Sequence, residues 1–265
     1  MKNVLILSIL FFLSLPAVFC DQIVLIRNEL FLTKISDAVY VATHYFPWES
    51  NSLVVKTDKG NFVFIDTPYT DAATEVLYNW VRSNYSPKDI KAIVTGYHID
   101  NVGGVGFLRS KDIEVIGSRL TNSLIESHGS NSLRTLSLWL NPSTQKKFVD
   151  HYSTATLVKA TTEIELRDLY SYQFDDVKLE LFYPGESHSV DNLTVFIENG
   201  NILFGTCIIK SLENRNLGFT GDANLENWPN AVRRIKERYR DARVVIPHHG
   251  KWGGPELFDH TLSLF

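Results

Sequence analysis

The chain has 265 residues, of which 44% are apolar, and carries a formal net charge of −4 at pH 7. A net negative charge is unfavourable for contact with phosphate backbones, so nucleic acid is excluded as an expected partner. The length and apolar content are sufficient for one substantial core and favour a single α/β domain.

Residues 1–20 have the pattern of a secretory signal peptide. Lys2 precedes a largely apolar run at 4–15, and Val18 and Cys20 stand at the small-residue positions before Asp21. The run is shorter than the ~20 residues that span a bilayer. We therefore predict cleavage after Cys20, a periplasmic mature domain at 21–265, and no stable membrane partner unless Cys20 is lipidated. Cleavage leaves 25 Lys and Arg against 30 Asp and Glu, a net charge of −5, because Lys2 is the one charged residue removed.

Apolar periodicity predicts alternating strands and helices in both halves of the chain. In the first half, the pattern predicts strands near 53–57 and 62–66, a helix near 71–83, a strand at 90–95, a short helix at 104–108, a strand at 113–116 and a helix at 120–127. In the second half, it predicts strands at 177–182, 193–198 and 202–205, a helix at 229–239 and a strand at 242–246. Residues 129–175 have no clear pattern. The alternation favours a layered α/β arrangement with helices covering packed sheets.

Candidate metal ligands come just after the predicted strands. They are His98, Asp100, His188, Cys207 and His249. Ligands gathered from separate loops are typical of a site open to water and substrate, whereas a closed structural zinc site is usually a compact knuckle. The pattern predicts a hydrolytic zinc site. Apart from His248, which is considered below, the remaining histidines are expected to be surface or structural residues: His44, His128, His151 and His260.

One ligand of this pattern is missing. The segment 95–100 is similar to the zinc motif His-x-His-x-Asp, but Gly96 stands in place of the first histidine. Glycine has no side chain to donate, so His98 and His188 would bind a metal weakly without a third ligand. His248 is the candidate neighbour that could supply an extra ligand or support one.

A series of motifs in fixed order resembles the metallo-beta-lactamase family, in the branch whose second zinc is held by aspartate, cysteine and histidine. The motifs are Ile-Asp-Thr-Pro at 65–68, the segment 95–104, Gly-x-x-His-x-x-Asp-Asn at 185–192, Phe-Gly-Thr-Cys-Ile-Ile-Lys-Ser at 204–211, Gly-Asp-Ala at 221–223 and Pro-His-His-Gly at 247–250. The resemblance implies a four-layer αβ/βα sandwich, with the metal site in a groove where the two sheets meet.

The resemblance also implies roles for individual residues. Asp100, Cys207 and His249 match the complete second zinc site, which we expect to hold one Zn²⁺ firmly. His98 and His188 match the other site, which we expect to hold a second, weaker Zn²⁺. The substrate-binding positions carried over from the family are Lys210 for a substrate carboxylate, Phe46 and Trp48 in an apolar flap, and Phe219, where many relatives have an asparagine.

The expected function is hydrolysis of the beta-lactam amide by a zinc-activated water, giving antibiotic resistance in a monomeric enzyme. Carbapenems are the first expected substrates, with penicillins and cephalosporins as further candidates. If only the second site is filled, Asp100 or His98 would orient or deprotonate the water. Two alternatives stay open at this stage: hydrolysis of a thioester, lactone or phosphodiester on the same fold, and zinc binding without catalysis.

Overall fold

The computed structural model describes residues 22–27, 29–45 and 47–265. The predicted signal peptide at 1–20 and the predicted substrate contact Phe46 lie outside the described residues, so both stay predictions.

The first sheet has eight strands that follow one another in chain order. They are β1 (Gln22–Arg27), β2 (Leu30–Lys34), β3 (Val39–His44), β4 (Ser50–Lys56), β5 (Phe62–Ile65), β6 (Ile90–Ile93), β7 (Glu114–Ser118) and β8 (Thr162–Ile164). Strands β1 to β5 pair antiparallel. From β5 to β8 the pairing is parallel, because helical connections return the chain to the same end of the sheet.

The second sheet has five strands in the order β13, β12, β11, β10, β9. Their bounds are β9 (Leu169–Phe174), β10 (Val177–Phe182), β11 (Thr194–Ile197), β12 (Ile202–Thr206) and β13 (Val244–Pro247). Strands β9 to β12 form an antiparallel meander, and β13 adds to β12 in parallel. The strand ends that carry Cys207 and His249 therefore lie side by side.

Seven α-helices complete the described chain. They are α1 (Asp71–Tyr85), α2 (Ile99–Val102), α3 (Val105–Ser110), α4 (Arg119–Trp139), α5 (Lys146–Thr154), α6 (Trp228–Tyr239) and α7 (Glu256–Leu262). Helix α1 begins where the side chain of Thr70 accepts from the amide of Ala73, and it ends at Ser86 in the left-handed conformation. None of the described helices has both the length and the apolar character that crossing a membrane requires.

Three apolar layers hold these elements together. In β5, Phe62 and Phe64 pack with Leu77 of α1 on one face of the first sheet, while Val63 and Ile65 point to the other face. That inner layer joins the two sheets. The third layer packs α6 and α7 on the second sheet, with Trp228, Leu203 and Phe258 fully buried. The order helix, sheet, sheet, helix confirms the predicted α/β sandwich.

The predicted strands and helices between 53 and 127 and between 177 and 246 are confirmed, within a few residues at their ends. The end predicted for the helix near 120–127 is wrong, because α4 continues to Trp139. Its second half is held by tertiary contacts: Leu133 and Leu136 pack with Phe148 of α5 in a separate apolar cluster. Strands β1 to β3, β8 and β9, the short helix α2 and helices α5 and α7 were not predicted.

Candidate metal centre

The predicted metal ligands lie at one edge of the sandwich, where strands of both sheets end. His98 precedes α2, which contains Asp100, after β6 of the first sheet. Cys207 follows β12 and His249 follows β13 of the second sheet. Asn51 of β4 ties the sheets together here, since its backbone and side-chain amides donate to the carbonyls of His248 and Pro247 at 2.7 and 2.9 Å.

Asp100, Cys207 and His249 bring their donor atoms together. The Oδ2 atom of Asp100 lies 3.0 Å from Nε2 of His249 and 3.4 Å from Sγ of Cys207, and Sγ lies 3.9 Å from Nε2. All three atoms fall within 4.8 Å of one another. Carboxylate, thiolate and imidazole with this spacing are a donor set that zinc accepts, with room for a further ligand from solvent.

The hydrogen bonds of His249 strengthen this fit. Its Nδ1 lies 2.6 Å from the carbonyl oxygen of Glu49, which can only accept, so Nδ1 carries a proton. In the neutral ring, Nε2 then has a lone pair that faces the carboxylate of Asp100 at 3.0 Å. Two acceptors at that distance need a proton or a cation between them. The donor atoms present therefore fit a bound cation.

The electrostatics of Asp100 and Cys207 also favour a cation. Burial disfavours the charged form of Asp100, but the imidazoles of His248 and His249 outweigh burial and hold its pKa well below the usual range. Burial, together with the charge of Asp100, raises the pKa of the Cys207 thiol well above its usual range. A coordinated metal ion is what ionises such a thiol, because it supplies the missing positive charge.

Two strained residues direct the ligand-bearing ends of the strands. Asp66 and Thr206 have positive φ values of 58° and 52°, a conformation that is rare for residues with a Cβ and especially for a β-branched one. Thr206 turns the chain at the end of β12, directly before Cys207.

Asp66 accepts from the amide and hydroxyl of Thr95 and from the side chain of Asn101 at 2.7, 2.6 and 3.0 Å. These bonds pin the loop that carries His98 and Asp100, although burial raises the pKa of Asp66 to about 8.

His98 and His188 lie next to each other, with ring centroids 5.1 Å apart and planes nearly perpendicular. The buried Nδ1 of His188 has no hydrogen-bond partner among the described residues. A Cβ built at Gly96 would overlap the side-chain amide of Asn192, which occupies the space that a third ligand would need. In the described part of the chain, this half of the site therefore offers two imidazoles.

Asp222 supports His98 and was not among the predicted site residues. Its Oδ2 lies 3.0 Å from Nε2 of His98 and accepts from the hydroxyl of Tyr97 at 2.6 Å. The hydrogen bond to His98 lowers the pKa of Asp222, so the carboxylate is ionised and can only accept. Nε2 of His98 therefore donates, and its Nδ1 keeps a lone pair for a metal or a proton.

His248 contacts the half of the site that is complete. Its side chain is fully buried, with Nδ1 at 3.1 Å from Sγ of Cys207 and Nε2 at 3.0 Å from the carbonyl oxygen of Asp100. Burial lowers its pKa to about 4. Both ring nitrogens are thus engaged by Cys207 and Asp100, which places His248 beside these residues and not in the gap left by Gly96.

A groove of about 590 Å³ runs over the site, and it is lined by Asp100, His98, His188, His249, Lys210 and the C-terminal part of α4. Lys210 is buried, and its Nζ lies 5.2 Å from the ring centroid of Trp228. Burial lowers the pKa of Lys210. His128, expected to be a surface or structural residue, also lines the groove, with its ring 6.4 Å from that of Tyr97.

Three aromatic residues span the mouth of the groove, and we call Trp48, Trp139 and Phe219 the aromatic bridge. The ring of Trp139 lies 6.3 Å from Trp48 and 5.1 Å from Phe219. Phe219 in turn packs against both imidazoles, at 6.0 Å from His98 and 6.4 Å from His188. Trp48 and Phe219, the predicted substrate-binding positions, line the groove, and their contact with substrate stays a prediction. Trp139 was not predicted, because α4 was expected to end before it.

Comparison with known proteins finds relatives along nearly the whole chain. A metallo-beta-lactamase type 2 from Pseudomonas aeruginosa is 32% identical and covers 98% of this chain and 92% of the relative. Another from Bacteroides fragilis is 29% identical and covers 100% of this chain and 96% of the relative. The solved structure of a metallo-beta-lactamase from Pontibacter korlensis is 32% identical, has a TM-score of 0.73, and covers 89% of this chain and 98% of that one. A scan against sequence models of protein families finds no match.

The two-sheet sandwich, the aspartate, cysteine and histidine donor set and these relatives together define a metal-dependent hydrolase. The chain belongs to the metallo-beta-lactamase family. Family membership confirms the resemblance predicted from the ordered motifs.

Proposed function

We propose that the protein is a zinc-dependent beta-lactamase that hydrolyses the amide bond of beta-lactam antibiotics. The observation that carries this proposal is the convergence of Asp100, Cys207 and His249 from three strand ends of two sheets, with donor atoms within 4.8 Å, in a chain of this family.

Asp100, Cys207 and His249 would hold one zinc firmly, and His98 and His188 would hold a second more weakly. Zinc bound here would lower the pKa of a water molecule toward ~7 and polarise the scissile carbonyl. The weaker half offers two imidazoles and no thiolate, and it is packed against the ring of Phe219. We therefore propose that the first equivalent of zinc enters at the Cys207 side.

His98 and Asp100 are the proposed catalytic residues. When zinc fills only the Cys207 side, no metal uses the Nδ1 lone pair of His98, so Nδ1 can orient an attacking water or accept its proton while Asp222 holds Nε2. Asp100 is ionised and faces the same groove. Its carboxylate can accept a hydrogen bond from water on the side that it does not use for metal binding.

Lys210 would attract the carboxylate that beta-lactam antibiotics carry beside the ring. Its ammonium group lies over the face of Trp228 at the groove wall, and it forms no salt bridge within the described residues. A buried cation without a carboxylate partner is a favourable binding point for an anionic substrate. The aromatic bridge would supply an apolar surface to the remainder of the substrate.

The experiment is hydrolysis of a carbapenem and a penicillin by the purified protein, before and after removal of metal with a chelator and again after addition of zinc. The proposal expects turnover that is lost with the chelator and restored by zinc. Metal-dependent turnover of thioesters, lactones or phosphodiesters without beta-lactam hydrolysis would assign the fold to another reaction. Retained zinc with no turnover of any of these substrates would leave a zinc-binding protein without catalysis.

A further inference from the structure

His248 occupies a position that connects ligands from both sheets. Asp100 lies on α2 after a strand of the first sheet, while Cys207 follows β12 of the second sheet. The two nitrogens of the His248 ring reach one residue each, at 3.1 Å from Sγ of Cys207 and 3.0 Å from the carbonyl oxygen of Asp100. His249 also reaches Cys207 and Asp100, but it does so through the single atom Nε2, which faces the metal site.

The ring of His248 is held rigidly in this orientation. Its backbone amide donates to Thr206 at 3.0 Å, and its carbonyl accepts from Asn51 at 2.7 Å. The ring packs near Phe204, at 5.5 Å, and lies nearly parallel to the ring of His249, at 5.3 Å with an interplanar angle of 20°. A fully buried ring with fixed backbone bonds has few alternative rotamers, so its two nitrogens act as fixed contact points.

The groups around the ring of His248 determine which of its two nitrogens carries the proton. The carbonyl oxygen of Asp100 can only accept, so Nε2 of His248 donates to it. The backbone of Asp100 is thereby tethered while its carboxylate stays free to face His249. With the proton on Nε2, Nδ1 of His248 accepts from the thiol of Cys207 at 3.1 Å, which fixes the sulfur relative to Asp100 in the metal-free protein.

We propose that His248 is a positioning residue that holds Cys207 and Asp100 in the arrangement that binds the metal. Side chains that orient ligands in this way tune metal affinity without touching the metal. The inference rests on the proposed metal site, and it makes His248, the residue before His249, part of that site's support. In this role His248 does not supply the ligand that is missing at Gly96.

The test uses the full purified protein with the substitution His248→Phe, which keeps a ring of similar size and removes both nitrogens. The readouts are the zinc dissociation constant from chelator competition and the thiolate charge-transfer absorption of the cobalt(II) form. We expect zinc affinity to fall by about 10–100-fold and the cobalt–thiolate absorption to weaken or shift. Phe204→Leu is the matched control, since it alters packing against the same ring and leaves both hydrogen bonds, and it should preserve both readouts.

Wild-type zinc affinity and an unchanged cobalt spectrum in His248→Phe would overturn the proposal. Loss of only a second, weaker equivalent of zinc would also overturn it, because that result would make His248 a ligand of the other site. If His248→Phe does not fold without metal, His248→Asn is the second variant, with a smaller loss of affinity expected and wild-type affinity again contradicting the role. Both readouts measure metal binding and not activity. A wild-type protein that binds zinc without hydrolysing beta-lactams would therefore refute the proposed beta-lactamase function and would leave the proposed role of His248 standing.

Discussion

Asp222 holds the imidazole of His98 through a hydrogen bond of 3.0 Å between Oδ2 and Nε2, across a separation of 124 residues in the chain. The same oxygen accepts from the hydroxyl of Tyr97 at 2.6 Å. Because the carboxylate can only accept, this pair determines which nitrogen of His98 carries the proton. The chemistry that His98 can perform in the groove therefore depends on a residue of the opposite loop.

The substitution Asp222→Asn should lower kcat/KM by about 10–100-fold, since it removes the charge that fixes the protonation of His98. Tyr97→Phe, which removes one hydrogen bond to the same oxygen and leaves the contact with His98, should have a much smaller effect. Asp168→Asn, at an exposed residue paired with Arg234, is the surface control. Steady-state kinetics of all three variants on one beta-lactam provide the comparison. Unchanged kcat/KM in Asp222→Asn would remove this residue from the account.

The site illustrates what can and cannot be predicted from the sequence. His98, Cys207 and His249 could be identified because each follows an apolar strand, and strand ends of packed sheets meet at an edge. Asp222 lies in the Gly-Asp-Ala motif at 221–223, which was noted as part of the resemblance, but the local pattern does not indicate which residue the aspartate contacts. Its role depends on how the loop before α6 folds back over the groove, which is a tertiary contact.

The substitution Gly96→His should tighten the binding of a second zinc by adding a third ligand to His98 and His188. The new side chain must displace the amide of Asn192, at a cost to stability of about 1–3 kcal/mol. Gly96→Ala is the matched control, because it introduces the same overlap without a ligand. Equilibrium dialysis at several free zinc concentrations separates the two variants. Equal zinc content in both would mean that the ring does not reach the site or that another ligand already completes it.

The substitution Trp139→Ala should weaken substrate binding. It should have little effect on folding, because the side chain is half exposed. Loss of its contacts with Trp48 and Phe219 should raise KM roughly fivefold, the equivalent of about 1 kcal/mol for one aromatic contact. Leu138→Ala is the matched control, since Leu138 is the adjacent residue of α4 and is 77% exposed. KM values of both variants on the same substrate test the point. Equal KM in wild type and Trp139→Ala would show that the aromatic bridge does not contact substrate.

Helix α4 shows why part of the fold escaped prediction. Its first turn has a clear signal, with the side chain of Ser118 accepting from the amide of Thr121. The stretch after residue 127 contains Gly129 and several serines, which have lower helix propensity than alanine or leucine. Packing of Leu133 and Leu136 against α5 stabilises the helix there, and this packing depends on residues that follow in the chain. Strands with continuous apolar runs, such as β5 and β12, could be predicted from their local sequence without knowledge of tertiary packing.

Stability should depend on pH through His44, which is buried in β3. Its Nδ1 accepts from the amide of Tyr69 at 3.4 Å, and burial lowers its pKa to about 4. The unfolded chain binds a proton near pH 6.5 and the folded chain does not until about pH 4, so stability falls as pH decreases through this window. Between pH 7 and pH 5 the loss from His44 should be on the order of 2 kcal/mol.

Urea unfolding of the wild type and of His44→Asn at both pH values measures this contribution. Asparagine keeps an acceptor near the amide of Tyr69 and does not titrate, so the variant should lose less stability on acidification. The other buried histidines are common to both proteins and cancel in the comparison. Identical pH dependence would show that His44 is protonated equally in the folded and unfolded states.

Zinc binding by Cys207 is tested most directly by the zinc content of dialysed wild-type protein and of Cys207→Ser, measured together with beta-lactam hydrolysis before and after zinc addition. We expect wild type to retain tightly bound zinc and to be active, while Cys207→Ser loses both at the same zinc concentration. Unchanged zinc content and turnover in Cys207→Ser would contradict this expectation, because the thiolate would then contribute neither to the metal site nor to the reaction.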